Sequence, residues 1–315
     1  MKIVLIFAPS PFAYDPAVNP PLGIGYIHSY LKSKGIDDVE IIDFSLYSNY
    51  DYEDTNDTKY LDEQIPLDAD FYGISATSSV SRWIYEIAKY LKENTAGKIV
   101  AGGAHPTSMT RQTLEDTVVD YIIRGDGEEP MYQLVSGVDL DKIPGLCYWK
   151  DGKIVEKERH YHKNLDELPF PTRLDINKYH RYIGEETALH LITLRGCPYN
   201  CSFCDKTSVG RGVRFRSVEN VMAEIDSINR QHGLRCFVIC DEIFPLKKKR
   251  TQQFCEEFKK RNLKWRCWCR ADLINEESLE MMKDAGLVSI QIGIESGDDG
   301  VLKSGVVDKL RDVWK

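Results

Sequence analysis

The feature that most constrains the fold is an alternation, through the first half of the chain, of short apolar runs with longer polar segments. The apolar runs occupy residues 3–8, 39–43, 69–75, 98–103 and 119–124. The polar segments between them, such as 22–34 and 80–94, are long enough to form helices. This alternation predicts an α/β fold, a doubly wound parallel sheet of the Rossmann or flavodoxin type with helices on both faces.

Ligands of such sheets bind beyond the carboxyl ends of the strands, so the segments after the strands are candidate binding loops. Four of them are rich in Pro, Gly or small hydroxyl residues and run over 8–25, 75–79, 102–107 and 125–130. Glycines allow a backbone to approach a flat or phosphorylated ligand closely. A tight strand-to-helix turn explains each loop taken alone, but four loops at one edge favour a ligand site. The candidate ligand residues are Ser75, Thr77, Gly102, Gly103, Gly125, Gly127 and Glu128.

The length of 315 residues favours two domains. Residues 145–157 have the pattern of a β-hairpin around Asp151-Gly152, and the prolines within 165–171 favour an extended linker. We therefore expect an α/β domain over 1–140, a hairpin and linker over 141–187, and a second domain over 188–315.

Composition excludes several function classes. The formal net charge is −8, and basic residues cluster only at 247–250, which argues against nucleic-acid binding. No apolar run reaches the roughly 20 residues of a membrane span, and the amino-terminal run is typical of a buried strand rather than a signal peptide. Nine cysteines without a secretory signal indicate reduced thiols or metal ligands in the cytoplasm.

Three of these cysteines, Cys197, Cys201 and Cys204, form a C-x3-C-x2-C pattern. Thiolates so closely spaced can converge on one metal centre, and soft sulfur ligands favour zinc or an iron-sulfur cluster. A structural zinc site takes four ligands, commonly as two C-x2-C pairs, and the sequence has no second pair of that spacing. Three ligands leave one iron of a 4Fe-4S cluster open. A zinc site completed by Cys240 or a histidine is the alternative.

The second half also has the pattern of a βα barrel. Strand-like runs at 236–240, 265–269 and 288–294 each follow a helix-capable segment, at 217–231, 250–261 and 276–285. Barrel sites lie at the carboxyl ends of the strands. This rule selects Asp241, Glu242, Arg270, Glu295 and Ser296. Cys267 and Cys269 share one face of a strand, where we expect core packing rather than an auxiliary metal pair with Cys236 or Cys240.

The cysteine segment, with Phe203 before the third cysteine, resembles the cluster motif of radical S-adenosylmethionine (radical SAM) enzymes. The first half resembles the cobalamin-binding domain that precedes the barrel in one large subfamily. The resemblance implies that Cys197, Cys201 and Cys204 hold a 4Fe-4S cluster whose open iron is chelated by SAM. It also implies SAM contacts from three places: Asp241 or Glu242 to the amino group, Glu295 with Ser296 to the ribose, and Arg216 at a further family position.

The activity that this resemblance implies is reductive cleavage of SAM to methionine and a 5′-deoxyadenosyl radical. In the commonest class of the subfamily cobalamin then supports methyl transfer to an unactivated carbon, whereas related members catalyse ring closures and rearrangements. We expect a small-molecule substrate and a reductant such as flavodoxin or ferredoxin. The alternative is a catalytically degenerate partner protein that holds a cluster or cobalamin.

Two departures from the family pattern bear on these expectations. The loop 8–25 has no histidine to serve as a lower cobalt ligand, so cobalamin would bind without one, or the domain would keep the fold without the cofactor. At roughly 31 residues per βα unit, residues 188–315 suffice for about four of the six units, with 298–315 as a final helix. An open barrel edge would be covered by a second copy, a partner chain or the rest of a longer gene.

Overall fold

A computed structural model describes residues 1–9, 20–46, 59–179, 182–183, 186–205, 210 and 212–301. The chain divides into two compact units. The first comprises Met1–Lys163 with Glu167–Tyr179, and the second comprises Asn164–Asp166 with His180–Lys315. Among the described residues, every helix is too short or too polar to cross a membrane.

The first unit contains a parallel sheet that the hairpin extends. Its strands are β1 (Ile3–Phe7), β2 (Val39–Asp43), β3 (Phe71–Ser75), β4 (Lys98–Gly102), β5 (Tyr121–Ile123), β6 (Leu146–Lys150) and β7 (Lys153–Val155). Within the described residues the order is β2-β1-β3-β4-β5-β6-β7. Strands β1 to β5 pair in parallel and β6 and β7 pair antiparallel. The parallel part has the flavodoxin-like order, which confirms the predicted fold class.

Helices cover both faces of this sheet, as the alternation of the sequence predicts. They are α1 (Leu22–Ser33), α2 (Lys59–Gln64), α3 (Arg82–Asn94), α4 (Ala104–Ser108), α5 (Thr110–Asp116) and α6 (Glu128–Val135). Alternate residues of β1 enter separate cores, because side chains of a strand point to opposite faces: Val4 and Ile6 pack with Trp83 of α3, whereas Ile3 and Leu5 pack with Leu31 of α1.

The hairpin predicted over 145–157 is present, and it belongs to the first sheet rather than to a separate connecting segment. Strand β6 pairs with β5 from Tyr121 opposite Tyr148 to Ile123 opposite Leu146. The hairpin therefore covers an edge that β5 would otherwise expose to solvent. Part of the predicted linker also contacts the first unit, since the Thr172 N–H donates to the carbonyl of Gly25.

The second unit contains the parallel strands expected of a partial barrel. Its strands are β8 (Tyr182–Ile183), β9 (Glu186–Leu191), β10 (Leu194–Arg195), β11 (Arg214–Phe215), β12 (Cys236–Ile239), β13 (Lys264–Arg270) and β14 (Leu287–Gly293). Its helices are α7 (Val218–His232), α8 (Lys248–Lys260), α9 (Glu276–Asp284) and the short α10 (Asp299–Val301). The main sheet has the order β14-β13-β12-β9-β8 in the described residues, and β10 pairs with β11. The predicted helix over 298–315 falls mostly outside the described residues.

In strand β13 the side chains alternate between the two faces of the sheet, as its sequence predicts. Its residues alternate between buried and half-buried positions, so Cys267 and Cys269 lie buried on one face, as the sequence predicts. Trp265, on the same face, is fully buried against Phe244 and Phe258. Burial raises the pKa of the Cys269 thiol to about 12. Its burial beside Trp265 and Cys267 fits a packing role.

Candidate functional sites

The three motif cysteines lie on the connection between β10 and β11. These two short strands pair antiparallel, Leu194 opposite Phe215 and Arg195 opposite Arg214, and so fix both ends of the connection. Gly196, just before the first cysteine, has a φ of +97°, and a Cβ there would overlap the carbonyl oxygen of Gly212. Only glycine tolerates both the left-handed backbone and this close approach. The chain therefore turns sharply where the cysteine loop begins.

Cys197, Cys201 and Cys204 are not joined in disulfides, and they lie at half-buried or exposed positions. Burial raises the pKa of Cys197, and the nearby Cys201 and Cys204 raise it further, so the three sulfurs are electrostatic neighbours. Three thiols on one loop can supply all but one of the four ligand positions of a 4Fe-4S cluster or of a structural zinc ion.

Arg270, at the end of β13, lies against this loop as the barrel rule predicts. Its Nη1 lies 3.2 Å from the Sγ of Cys201, and its guanidinium stacks 4.0 Å from the ring centre of Tyr199. Asp272 holds the guanidinium through two hydrogen bonds of 2.9 and 3.0 Å. The cation is thus oriented by a carboxylate and lies against the sulfur of Cys201.

Asp241 and Glu242 follow β12 but point to different surroundings. Asp241 is buried and accepts hydrogen bonds from the backbone of Thr193 at 2.6 Å and of Leu194 at 3.1 Å, and from the Thr193 hydroxyl. Burial raises its pKa to about 6. Both carboxylate oxygens are used within the protein, so Asp241 positions the segment that leads into the cysteine loop.

Glu242 is the carboxylate that faces solvent at this site. Its side chain is exposed, yet desolvation by surrounding protein atoms raises its pKa to about 7. Hydrogen bonding from the Gly196 N–H acts in the opposite direction and places Glu242 beside the start of the cysteine loop. Of the two acidic candidates, Glu242 is the one that a ligand can reach.

Arg216 is buried and engaged by the protein itself. Its guanidinium donates to Glu224 at 2.6 Å, to the side chain of Asn220 at 2.7 Å and to the carbonyl of Ile192 at 2.9 Å. These contacts join β11, helix α7 and the end of β9. The structure therefore gives Arg216 a positioning role beside the cysteine loop, without bringing its side chain to an accessible surface.

Sequence reasoning missed Arg250, which supports the same region. Its Nη2 donates to the carbonyls of Thr193 at 2.8 Å and Arg216 at 3.1 Å. Burial lowers its pKa to about 10, and the nearby Asp241 opposes that shift. The only signal in the sequence was its place in the basic run 247–250, which reads as a solvated helix start. Its inward orientation depends on the packing of α8.

Glu295 and Ser296 follow β14, at the same edge of the sheet as Asp241 and Arg270, because β12, β13 and β14 are parallel neighbours. Glu295 is exposed and has a φ of +63°. The Ser296 N–H donates to the carbonyl of Ile294 at 2.7 Å, which closes a tight turn. The structure thus brings the candidate residues after β12, β13 and β14 to one edge.

In the first unit, the loops after β3 and β4 lie side by side. The Ala76 N–H donates to the carbonyl of Gly102 at 3.3 Å, and the His105 N–H donates to the carbonyl of Ala76 at 3.2 Å. Gly103 has a φ of +91°, and a Cβ there would stand 3.0 Å from the Oγ of Ser75. Thr77 is exposed beside them, with its hydroxyl 3.0 Å from that of Ser79.

The loop after β5 joins the same edge. The Gly125 N–H donates to the Thr107 hydroxyl at 3.3 Å, which links this loop to the one after β4. Gly127 immediately precedes α6, where a Cβ would stand 2.9 Å from the Cδ1 of Ile27, and Glu128 is buried in the first helical turn. Of the fourth loop, residues 10–19 lie outside the described residues.

Two features of this edge leave room for a ligand. Gly102 leaves open space where a side chain would project, with the carbonyl of Ile123 at 3.9 Å as its nearest neighbour. The Nε2 of His105 is buried and has no hydrogen-bond partner in the part of the chain that the structure describes, while its Nδ1 lies 3.3 Å from the Ser78 hydroxyl. Such an atom is suited to receive a ligand group. His105 is the residue of this edge that the sequence alone left unassigned.

Fold and sites together define a protein with two cofactor domains, and comparison with known families agrees. The B12 binding domain family matches residues 14–135, and the radical SAM superfamily matches residues 191–315. The chain belongs to the family of radical SAM proteins that carry a B12-binding domain. A radical SAM domain implies a 4Fe-4S cluster and SAM, and a B12-binding domain indicates cobalamin.

Relatives cover nearly the whole chain. An uncharacterized methyltransferase, PH0819, of Pyrococcus horikoshii is 32% identical over 96% of this chain and 67% of its own length. The anaerobic magnesium-protoporphyrin IX monomethyl ester cyclase of Rubrivivax gelatinosus is 30% identical over 92% of this chain and 54% of its own length. The chain thus spans between about half and two thirds of the length of these relatives.

Solved structures share the fold. The cobalamin-dependent radical SAM enzyme OxsB, with aqua-cobalamin and SAM bound, has a TM-score of 0.79 at 24% identity, over 99% of this chain and 47% of that one. The methyltransferase TsrM of Kitasatospora setae, with cobalamin and a [4Fe-4S] cluster bound, has a TM-score of 0.73 at 19% identity, over 99% of this chain and 67% of that one.

Proposed function

We propose that this chain is the cofactor-binding part of a cobalamin-dependent radical SAM enzyme that transfers a methyl group to an unactivated carbon of a small molecule. The observation that carries the proposal is that three cysteines on one loop lie near an arginine held by a carboxylate and an accessible glutamate. The methyltransferase name of the relative that is 32% identical supports the reaction class.

At the cysteine loop, Cys197, Cys201 and Cys204 hold the cluster and Glu242 binds the amino group of SAM. Arg270 neutralises the negative charge of the thiolates and is close enough to the loop to orient a carboxylate bound there. Asp241, Arg216 and Arg250 keep the loop in place, because each uses its polar atoms on the backbone around Thr193. Glu295 and Ser296 contact the ribose of SAM.

In the first unit, the loops that contain Ser75, Thr77, Gly102, Gly103, Gly125, Gly127 and Glu128 bind cobalamin. Their glycines admit the ligand, and their hydroxyl and carboxylate groups orient its polar rim. When both cofactors are bound, the cluster supplies the electron that cleaves SAM and cobalamin supplies the methyl group. The chain itself positions the two cofactors and excludes water and oxygen from them.

The first experiment is anaerobic reconstitution with iron, sulfide and cobalamin, followed by reduction in the presence of SAM. We expect both 5′-deoxyadenosine, from radical formation, and S-adenosylhomocysteine, from loss of the methyl group, each quantified by mass spectrometry. Cys201→Ala should abolish 5′-deoxyadenosine formation. Cys255→Ala, which removes a buried thiol on α8, is the matched control and should retain it. Absence of 5′-deoxyadenosine from the cluster-loaded chain would contradict the enzymatic proposal and favour a degenerate cluster-binding or cobalamin-binding partner.

The role of Glu242 is tested separately by SAM binding. Loss of a hydrogen bond to a charged group costs about 1.5–3 kcal/mol, so Glu242→Gln should weaken SAM binding about 10- to 100-fold. Iron content should stay unchanged, because Glu242 is not a cluster ligand in this proposal. Glu280→Gln, an exposed change on α9, is the control. Equal SAM affinity of the Glu242→Gln variant and the native chain would contradict the assignment.

A second candidate is ring closure, favoured by the cyclase of Rubrivivax gelatinosus that is 30% identical. The same assay separates the two, because ring closure consumes SAM to 5′-deoxyadenosine without forming S-adenosylhomocysteine. In either case the proposal includes an external reductant such as flavodoxin or ferredoxin and a cytoplasmic setting. The proposal also includes a second copy of this chain, or a partner chain, that covers the open edge of the barrel beside β14.

A further inference from the structure

A group of side chains of the types that bind metal ions lies in the first unit. It begins with the segment His160-Tyr161-His162, which runs extended after the hairpin. Gly125 and His160 form a parallel β-bridge. The His160 N–H donates to the carbonyl of Arg124 at 3.0 Å, and the Asp126 N–H donates to the carbonyl of His160 at 2.9 Å. In an extended segment residues two apart share a face, so the imidazoles of His160 and His162 project to the same side.

The backbone that carries these histidines is tightly held. Gly125 has a φ of +89°, and a Cβ there would overlap the carbonyl oxygen of His160, so the two segments approach as closely as glycine allows. The His162 N–H donates to the Asp126 carboxylate at 2.9 Å. Such a rigid backbone fixes the positions of both imidazoles before any ligand binds.

Glu129, in the first turn of α6, faces the histidines. Gln133 donates to its Oε1 at 2.9 Å, which leaves its Oε2 directed at the Nε2 of His160, 3.5 Å away. That Nε2 is buried and forms no hydrogen bond within the described residues. In metal sites, neighbouring residues orient the ligating carboxylates through hydrogen bonds of this kind. Gln133 holds one oxygen of Glu129 in this way, and the other oxygen points to the imidazole.

We propose that Glu129, His160 and His162 bind a divalent transition-metal ion of the zinc class. Their donor atoms all lie within 4.8 Å of one another, so a modest adjustment brings them to one ion. Two imidazoles and a carboxylate are a zinc donor set, whereas magnesium and calcium prefer oxygen alone. The fourth position is open to water or to Glu167, whose carboxylate lies 3.8 Å from the Nε2 of His162.

The negative charge around the histidines favours a bound metal cation over a simple ion pair between His160 and Glu129. Asp126 and Glu128 lie within electrostatic range of His160 in addition to Glu129. A divalent ion held by the two imidazoles and Glu129 would be attracted by these neighbouring carboxylates as well. The ion would fasten the segment after the hairpin to the start of α6. Its role is thus structural and separate from the cofactor chemistry proposed above.

The test must keep zinc away from the cysteine motif. We would therefore use the full chain with Cys197→Ser, Cys201→Ser and Cys204→Ser as the host, strip it with a chelator and add zinc or cobalt. We expect about one equivalent of tightly bound metal. The cobalt form should show visible absorption of a four-coordinate ion without thiolate-to-cobalt charge transfer. In the same host, His160→Ala or His162→Ala should weaken zinc binding about 100-fold or more, since loss of an outer partner alone costs 10- to 100-fold.

Three further variants keep the proposal falsifiable if an alanine variant unfolds. Glu129→Gln removes a ligand with little change of shape and should weaken zinc binding, whereas His232→Ala, on α7 of the second unit, should not. His162→Cys should retain zinc and introduce thiolate-to-cobalt charge transfer, which no purely structural role of His162 would produce. Zinc bound with equal affinity after Glu129→Gln and His160→Ala would overturn the proposal. Thiolate-to-cobalt absorption in the unmodified host, or binding only at adventitious millimolar zinc, would equally overturn it.

Discussion

Asp241→Asn is expected to stabilise the chain at neutral pH, although it replaces a carboxylate that accepts three hydrogen bonds. Burial raises the pKa of Asp241 from 3.8 to about 6, so the charged form is disfavoured in the folded state. A pKa difference of about 2 units between the folded and unfolded states means that the charged carboxylate lowers the free energy of unfolding by about 3 kcal/mol at pH values above 6. Asparagine carries no charge, and its Oδ1 can accept from the Thr193 and Leu194 N–H groups while its Nδ2 donates to the Thr193 hydroxyl.

The pH dependence gives the sign of this effect. Because the folded-state pKa is raised, proton binding by Asp241 stabilises the native chain fully below pH 3.8, and this stabilisation is lost as the pH rises through about 6. The advantage of Asp241→Asn should therefore be up to about 3 kcal/mol at pH 7.5 and fall to about half at pH 5. Asp241→Ala, which leaves two backbone donors without their acceptor, should instead destabilise by about 1–3 kcal/mol for each lost partner.

Urea unfolding followed by tryptophan fluorescence measures these differences, with the fully buried Trp265 as the reporter within the second unit. Asp284→Asn, an exposed change on α9, is the control and should shift the midpoint little at either pH. If Asp241→Asn destabilises the chain at pH 7.5, or if its effect is the same at pH 7.5 and pH 5, then the charged carboxylate is favourable where it lies. The reasoning from burial would then be refuted.

Two other variants test how the sites are held. Gly125→Ala should destabilise the first unit by about 1–3 kcal/mol or more, because φ is positive and the new Cβ overlaps a carbonyl oxygen. Gly137→Ala is the control and should cost about 1 kcal/mol, because φ is +74° but the space around the glycine is open. Comparable thermal unfolding of the two variants would count against the close approach. Arg216→Ala should cost about 3–5 kcal/mol because it removes the cation that pairs with the buried Glu224. Arg216→Met with Glu224→Leu should cost much less, and equal losses in urea unfolding would argue against a buried ion pair.

The sequence alone determined the elements and the cofactor class. Alternating apolar runs specify strands because side chains of a strand alternate between its two faces, and each predicted parallel strand of the first unit is present within two residues of its expected ends. The cysteine spacing indicated a cluster because thiols so close in sequence can converge on one metal centre without contacts between distant elements. The parallel order then placed the glycine loops and the acidic strand ends at their respective sheet edges, as general rules for such sheets require.

Only the tertiary structure decided which of these residues are accessible and which are buried. Asp241 and Glu242 are adjacent in sequence, but one is buried under Thr193 and the other is open to solvent. Arg250 turns inward from a run of basic residues, and Glu129 meets His160 across about 30 intervening residues. Local patterns encode secondary structure through the periodicity of side chains along one element. Contacts between distant residues depend instead on how separate elements pack, and no short stretch of sequence records that.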